Sequence, residues 1–199
     1  MTNRVGPGAH VVSYFIGRNR SHLNLVFIAP ETQWQGESWT EQTSLASLRD
    51  AFHGWSPQLQ HIIDAVDEPV YRWALNDREP LSMWCDGSVA LLGDAAHPML
   101  PFMAQGSCQA IEDAAVLVRC LEGVESQLPS VAHALKKYES TRMERATRIQ
   151  GASYFNRIVF HYPDGEDQIA RDAMFAADGW SSATDWVYEH NALTTPLVV

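Results

Sequence analysis

The feature that most constrains this chain is the segment 91–113, with the sequence LLGDAAHPMLPFMAQGSCQAIED. An apolar run at 89–92 ends in Gly93-Asp94, a loop with two prolines follows, and a helix is predicted to begin near Gly106. A strand that ends in a carboxylate therefore lies beside a helix N-terminus, whose first backbone amides have no partner inside the helix. This order of elements predicts a small-molecule site that can bind hydroxyl groups and hold negative charge.

The residues of this loop have properties that suit such a site. The Asp94 carboxylate offers only hydrogen-bond acceptors, which suits the donor hydroxyls of a sugar or ribitol chain. Pro98 and Pro101 fix φ and stiffen the loop, and Gly106 lets a flat ligand approach the backbone closely. A bare Gly-Asp pair would more often form only a turn that caps a helix, but the full 23-residue string favours the site.

Composition limits the partners of the chain. Its 199 residues can bury a core, and an apolar content of 46% is typical of a folded globular protein. The net charge of −10 argues against nucleic acid or an anionic membrane as a partner, and no apolar run approaches the length of about 20 residues that a membrane span needs. The N-terminus lacks the apolar core of a signal peptide. Three cysteines without metal-ligand spacing predict reduced thiols in a cytoplasmic protein.

Hydrophobic periodicity predicts strands in the first half of the chain and helices in the second, an α+β arrangement. The segment 17–21 joins two strand-like runs as a hairpin, and Gly54 and Pro57 separate two helices. The tail at 162–199 is predicted to hold short helices at best. The predicted strands are 9–16, 22–29, 70–75, 81–84 and 89–92, and the predicted helices are 44–53, 57–66, 106–121 and one from about 130 into the 150s.

The spacing within the loop is shared with a known family. Gly93-Asp94 is followed by six residues and Pro101, then by four residues and Gly106, and then by Ala110 and the Glu-Asp pair at 112–113. This string resembles the second flavin-binding motif of the class A flavoprotein aromatic hydroxylases, and it is most similar to the salicylate-hydroxylase-like branch. The resemblance covers most of residues 5–155, and it implies that the chain forms part of an α/β FAD-binding fold.

The resemblance also implies roles for individual residues. In the family the aspartate of this motif, here Asp94, binds the ribitol of FAD, and the proline, here Pro101, packs beside the isoalloxazine ring. The amides that match Gln105 and Gly106 lie near N1 and the C2 carbonyl, where the reduced flavin carries negative charge. No metal is implied. The cofactor-binding candidates are Gly93, Asp94, Pro101, Ala104, Gln105 and Gly106.

Three residues are candidates for catalysis. His10 and Tyr14 share one face of the first predicted strand, where they could bind a phenol or a carboxylate, but a half-buried strand with locally satisfied polar edges fits the same pattern. The resemblance favours the substrate role, because this hairpin is similar to the sheet that covers the substrate cavity in such hydroxylases. His97 titrates near neutral pH and could relay a proton, although a structural role in the loop is favoured. The apolar residues of the loop could line an aromatic cavity or belong to the core.

The family plan implies the following division of the chain. Residues 1–84 would form part of the substrate domain, 85–160 the C-terminal part of the FAD-binding domain, and 161–199 a C-terminal tail. A complete hydroxylase also needs a GxGxxG turn for the pyrophosphate of FAD, and this chain has none. The Gly-Pro-Gly segment at 6–8 is a near match, but no strand is predicted before it and no helix after it.

The function implied by the resemblance is that of an FAD-dependent monooxygenase. Such an enzyme hydroxylates a small aromatic substrate, phenolic or hydroxy-acid, with NAD(P)H and O2 as co-substrates. Because the GxGxxG unit is missing, a non-catalytic truncated fragment and one half of a split flavoprotein stay open as alternatives. A flavin oxidase or dehydrogenase with other chemistry is a third. The sequence does not identify the substrate, and it does not decide whether the co-substrate is NADH or NADPH. It also leaves open whether the chain forms a homodimer or pairs with a complementary N-terminal half.

Two charged features of the second half are interpreted as structural. Glu112 and Asp113 lie near the start of a helix, where acidic residues are favourable, so a scaffolding role is expected. Tyr138, Arg142 and Arg145 recur on one face of the long helix, and a solvated charged face is the expected explanation.

Overall fold

The computed structural model describes residues 1–31, 36, 38–124, 128–177 and 179–198. Two compact units are present, and the mixture of strands and helices confirms the α+β prediction. The first unit contains Met1–Arg4 and Ala9–Leu75, and the second contains Val5–Gly8 with the chain from Asn76 onward. The assignment of 1–84, 85–160 and 161–199 to functional domains stays a prediction.

The N-terminal part of the chain forms a three-stranded sheet in the order β1 (Thr2–Gly6), β2 (Ala9–Ile16) and β3 (His22–Ile28). β2 and β3 belong wholly to the first unit. β2 and β3 are antiparallel, with His10 opposite Ile28, which confirms the predicted hairpin. Strand β1 was not predicted. The Gly-Pro-Gly segment therefore does follow a strand, and Gly8, at φ +70°, is part of the turn that leads into β2.

Two short helices complete the core of the first unit. Ser44 caps α1 (Leu45–Ala51) by accepting a hydrogen bond from the Ser47 amide at 3.1 Å, and Ser56 with Pro57 begins α2 (Pro57–Asp64). The two-stranded pair β4 (Gln42–Thr43) and β5 (Val70–Tyr71) is shorter than the strand predicted over 70–75. The buried apolar side chains of this core are Ala9, Val11, Leu48, Phe52, Leu59 and Ile63.

The second unit begins with a small hairpin and continues as helices. β6 (Cys85–Asp86) pairs with β7 (Val89–Ala90). β7 lies within the strand predicted over 89–92, whereas the strand predicted over 81–84 is wrong because 81–84 is not a strand. Short 3-10 turns follow at Gly93–Ala95 and Pro101–Met103. The helices are α3 (Gly106–Leu121), α4 (Leu128–Phe160), α5 (Glu166–Ala176) and α6 (Gly179–Tyr188).

Helix α4 packs its long buried stripe against α3 and the preceding hairpin. Buried side chains recur on it about every 3.5 residues, as expected for a helix that packs along its length. The stripe is apolar at Leu135 and Tyr138 but contains polar side chains further along. The core of this unit comprises Trp84, Cys85, Ala96, Val116, Cys120, Leu135, Tyr138 and Ala146.

The state of the cysteines and the length of the helices can be compared with the predictions of reduced thiols and of no membrane span. Cys85, Cys108 and Cys120 are all free thiols. Burial, with a smaller contribution from the nearby Glu139 carboxylate, raises the pKa of the Cys85 thiol to about 11. Within the described part of the chain, none of the helices has the length and apolar character needed to cross a bilayer.

Candidate functional site

The loop after β7 begins at Gly93, where the backbone conformation and the close approach of α3 favour glycine. Its φ is +59°, in the left-handed region, and a Cβ added there would lie 3.1 Å from the Ala110 Cβ of α3. The Gly93 carbonyl accepts hydrogen bonds from the amides of Ala96 and His97, both at 2.9 Å. The loop therefore turns tightly against α3, and this turn determines where the next residue, Asp94, projects.

Asp94 and the N-terminus of α3 lie side by side. A Cβ added at Gly106 would be 3.9 Å from Asp94 Oδ1 and 3.9 Å from Met99 Cγ. The side chain of the N-cap residue Gln105 makes no hydrogen bond to the first turn, so the first amides of α3 lack an N-cap side-chain partner. An exposed carboxylate and an uncapped helix N-terminus thus face the same small space, as the sequence predicted.

Pro101 and Ala104 shape the part of the loop that leads into α3. Pro101 begins the turn Pro101–Met103, and the Ala104 amide donates to its carbonyl at 3.0 Å. Ala104 has φ +53° and ψ +33°, a left-handed conformation that is uncommon for alanine. The backbone therefore turns at Pro101–Met103 and again at Ala104 before α3 begins, instead of running extended into the helix.

The Asp113 carboxylate is the hydrogen-bonding centre behind the loop. Its Oδ2 accepts from the Gly93 amide at 3.0 Å and contacts His97 Nε2 at 2.6 Å, and its Oδ1 accepts from Arg142 Nε at 2.7 Å. All of these side chains are at most 2% exposed. A single buried carboxylate thus binds both sides of the turn that carries Asp94.

Arg142 and Arg145 extend this network along α4. Arg142 Nη1 donates to Glu112 Oε2 at 2.7 Å, and Arg145 donates to the same carboxylate through Nε at 2.8 Å and Nη2 at 2.9 Å. The prediction that this face of α4 is solvated is wrong, because Arg142 is only 1% exposed and Tyr138 is fully buried. Glu112 and Asp113 are structural, as expected, but through buried ion pairs rather than through proximity to the helix start.

The pH dependence of stability follows from these two carboxylates. Burial would raise the pKa of Asp113, but hydrogen bonds from His97, Arg142 and the Gly93 amide outweigh it and hold the pKa below its ordinary value of 3.8. At Glu112 burial would likewise raise the pKa, but the ion pairs with Arg145 and Arg142 outweigh it and hold the pKa below its ordinary value of 4.5. A lowered pKa stabilises the fold above the ordinary pKa, and this contribution is lost as pH falls through the folded pKa.

Burial also lowers the pKa of His161 and of His190 below the ordinary 6.5, so the unfolded chain binds more protons than the folded chain below that pH. We therefore expect the free energy of unfolding to fall gently from pH 7 to about pH 5 and to fall steeply below about pH 4. Urea denaturation at several pH values would measure it. The variant Asp113→Asn should be less stable at pH 7 and should show a shallower acid loss than the parent. An equally steep loss in this variant would contradict the assignment to Asp113.

His97 belongs to this network by its position in the structure. Its ring is 1% exposed, contacts Asp113 through Nε2 and lies 5.2 Å from the Trp84 ring, centroid to centroid. Nδ1 is buried without a hydrogen-bond partner among the described residues. The contact with Asp113 supports the structural role. A catalytic role for His97 stays a prediction.

Three polar side chains of α4, which sequence reasoning missed, bind the loop from its other side. They recur every three residues on the buried stripe of α4 and are at most 6% exposed. We call this set the carbonyl ladder, because each member donates to an alternate backbone carbonyl of the loop. The pairs are Gln150 Nε2 to Pro98 at 2.8 Å, Ser153 Oγ to Leu100, and Asn156 Nδ2 to Phe102 at 3.0 Å.

The other two catalytic candidates lie in the first unit. His10 and Tyr14 occupy the same face of β2, as predicted, but their surroundings differ. His10 is 1% exposed and Tyr14 is 39% exposed. Their roles in catalysis stay predictions. In the described residues no group of three His, Cys, Asp or Glu side chains is arranged to hold a metal ion.

Comparison with known proteins shows the family of the chain. A family model described as "FAD binding domain" matches residues 8–153. A 6-hydroxynicotinate 3-monooxygenase from Bordetella bronchiseptica is 45% identical over 148 residues, which are 74% of this chain and 38% of that protein. A 3-amino-4-hydroxybenzoate 2-monooxygenase from Streptomyces platensis, PtmB3, is 34% identical over 189 residues, which are 94% and 46% of the two chains.

Solved structures share the fold. A salicylate hydroxylase in a substrate complex superposes with a TM-score of 0.79 at 22% identity, over 99% of this chain and 50% of that one. HpxO from Klebsiella pneumoniae, complexed with FAD and uric acid, gives a TM-score of 0.65 at 28% identity, over 84% and 41% of the two chains. This chain thus spans between about two fifths and one half of the length of these relatives. Since the family model covers most of its residues, the chain belongs to the FAD binding domain family.

Proposed function

We propose that this chain forms the ribitol and ring end of the FAD site in a monooxygenase that hydroxylates a small aromatic acid. The observation that carries the proposal is the 3.9 Å separation between Asp94 Oδ1 and the position of a Cβ at Gly106. A carboxylate that accepts from hydroxyls and a row of uncapped amides suit the two chemically different parts of one ligand. A ribityl chain attached to a ring that becomes anionic on reduction has both parts.

The residues present fit this cofactor. A side chain at position 106 would fill the space beside Asp94, whereas glycine leaves it open. Bound FAD would supply the redox chemistry with NAD(P)H and O2. The chain's own residues would bind and orient it: Asp94 would accept from the ribitol, Pro101 would pack beside the ring, and the Gln105 and Gly106 amides would stabilise negative charge.

The proposed substrate is an aromatic ring that carries a hydroxyl and a carboxylate. Two relatives are named for 6-hydroxynicotinate and 3-amino-4-hydroxybenzoate, which both have these groups. His10 and Tyr14 of the first unit stay the proposed substrate-binding residues, since both side chains can donate to a phenolate or a carboxylate. Of the two, Tyr14 is the accessible one, at 39% exposure against 1% for His10. The half-buried apolar side chains of the loop, such as Met99 and Phe102, would form a wall against the ring.

A direct experiment would separate this function from its alternatives. The purified chain would be titrated with FAD and its visible spectrum recorded. NADH or NADPH, ¹⁸O2 and either 6-hydroxynicotinate or 3-amino-4-hydroxybenzoate would then be added. We expect FAD binding, substrate-dependent oxidation of the nicotinamide, and a product that contains one ¹⁸O atom.

Other outcomes would contradict the proposal in distinct ways. Reduction of O2 to hydrogen peroxide with no ¹⁸O in the product would indicate an oxidase. Absence of FAD binding would favour a non-catalytic fragment. Binding that appears only after addition of a separately produced GxGxxG domain would favour one half of a split flavoprotein.

A further inference from the structure

The loop that carries the proposed flavin contacts has few regular backbone partners. In the described residues between Asp94 and Gly106, it forms two short 3-10 turns and no strand. Backbone groups of such a segment need other partners when they are buried. Here side chains of α3 and α4 supply several of them, and the Arg78 guanidinium donates to the Ala95 and Ala96 carbonyls.

The two sets of partners hold opposite ends of the loop. Asp113 of α3 binds the Gly93 amide and His97 at the beginning. The carbonyl ladder of α4 binds the Pro98, Leu100 and Phe102 carbonyls further along. Two of the carbonyls that the ladder binds, those of Leu100 and Phe102, flank Pro101, which would pack beside the ring. This part of the loop lies just before the start of α3.

The spacing of the ladder fixes the register of the loop on α4. Three residues of a helix advance by about 4.5 Å, and two residues of an irregular chain can cover that distance because they extend to at most about 7 Å. Apolar contacts alone are non-directional and would tolerate sliding. Hydrogen bonds to alternate carbonyls would all be lost if the loop slipped by one residue.

We infer that Ser153 and Asn156 are positioning residues that hold Pro101 and the first amides of α3 in the geometry required for FAD. This inference rests on the function proposed above. Neither side chain needs to touch the cofactor. Each acts through a loop carbonyl, at Leu100 and Phe102 respectively.

The test compares Ser153→Ala and Asn156→Leu with a control on the same helix. Thr141→Val is the control, because the Thr141 hydroxyl accepts from the Val198 amide and donates to the Lys137 carbonyl, away from the loop. For each chain we would measure the Kd for FAD and the visible spectrum of the bound flavin. Amide hydrogen exchange at Ala104 without cofactor would provide a third measurement. All measurements would be made at a temperature where every variant is fully folded.

We expect each ladder variant to raise the Kd for FAD about fivefold, to shift the spectrum of the bound flavin and to speed exchange at Ala104. Thr141→Val should leave all three unchanged, even if it lowers the melting temperature. If Asn156→Leu fails to fold, Ser153→Ala alone decides the result, because it removes only one hydroxyl.

The possible failures are distinguishable. If the parent chain does not bind FAD, the proposed function fails, and the exchange at Ala104 still decides whether the ladder holds the loop. If the parent binds FAD and the ladder variants match it in Kd, spectrum and exchange, the positioning role is overturned. Lower stability with a parent-like Kd and spectrum would also overturn it, because the ladder would then only stabilise the fold.

Discussion

Replacing Arg142 by methionine is expected to lower the free energy of unfolding by about 3–5 kcal/mol. Arg142 donates to Asp113, Glu112 and the side chain of Gln109, each at 2.7–2.8 Å, and it is 1% exposed. Methionine approximates the length of the arginine stem but donates no hydrogen bond. The Asp113 charge would keep only its bonds to His97 and Gly93, and a buried carboxylate without its cationic partner is strongly unfavourable.

Urea denaturation at pH 7 would measure this loss, with Arg148→Met as the matched control. Arg148 lies on the same helix but is exposed, and its guanidinium stacks 3.8 Å from the Trp186 ring centroid. We expect the control to lose less than about 1 kcal/mol. Equal losses in the two variants would contradict a special role for the buried network.

A double variant tests the cause of the loss. When Asp113→Leu is combined with Arg142→Met, the unpaired buried charge disappears. The double variant should therefore lose less stability than the sum of the two single variants. Additive losses would mean that the two side chains stabilise the fold independently.

Local patterns in the sequence were sufficient for several elements around the candidate site. The hairpin of β2 and β3, the start of α3 at Gly106 and the proximity of Asp94 to that start all followed from alternation, turn residues and helix signals. These features depend on neighbours within a few residues. The sequence therefore contains the information for each of them within one short segment.

The partners of the loop could not be predicted in the same way. Arg142, Gln150 and Asn156 are polar residues on a long helix, and such residues are usually exposed. Their burial depends on Asp113 and on loop carbonyls, and the pairs are 29 to 54 residues apart in the chain. One available signal was the three-residue spacing from Gln150 to Asn156, which continues the buried stripe of α4.

Strand β1 was missed for a different reason. Its sequence, TNRVG, lacks the alternation of a half-buried strand, and its first two residues are exposed. Pairing with β2 supplies the backbone hydrogen bonds that its side chains do not predict. The Gly-Pro-Gly segment that follows is thus a turn between strands. This geometry differs from a phosphate-binding turn, which leads from a strand into a helix.

Replacing Asp94 by alanine is expected to raise the Kd for FAD about 100-fold, because a carboxylate bonded to hydroxyls contributes about 1.5–3 kcal/mol for each bond. Asp94 is exposed, so the free energy of unfolding without cofactor should change by less than about 0.5 kcal/mol. Fluorescence titration of FAD with the parent and the variant would measure the affinity. Asp86→Ala, which removes an exposed carboxylate from the turn of β6, is the control and should bind FAD as the parent does.

Riboflavin identifies the part of the cofactor that Asp94 contacts. It contains the ring and the ribityl chain but neither the pyrophosphate nor the adenosine. If Asp94 binds the ribitol, Asp94→Ala should raise the Kd for riboflavin by the same factor as the Kd for FAD. ADP should not compete with riboflavin for binding to the parent chain. A variant that loses FAD affinity but binds riboflavin like the parent would place Asp94 at the nucleotide end of the cofactor. Unchanged affinity for both flavins would remove Asp94 from the site and, with it, the pairing of carboxylate and helix amides that the proposed function requires.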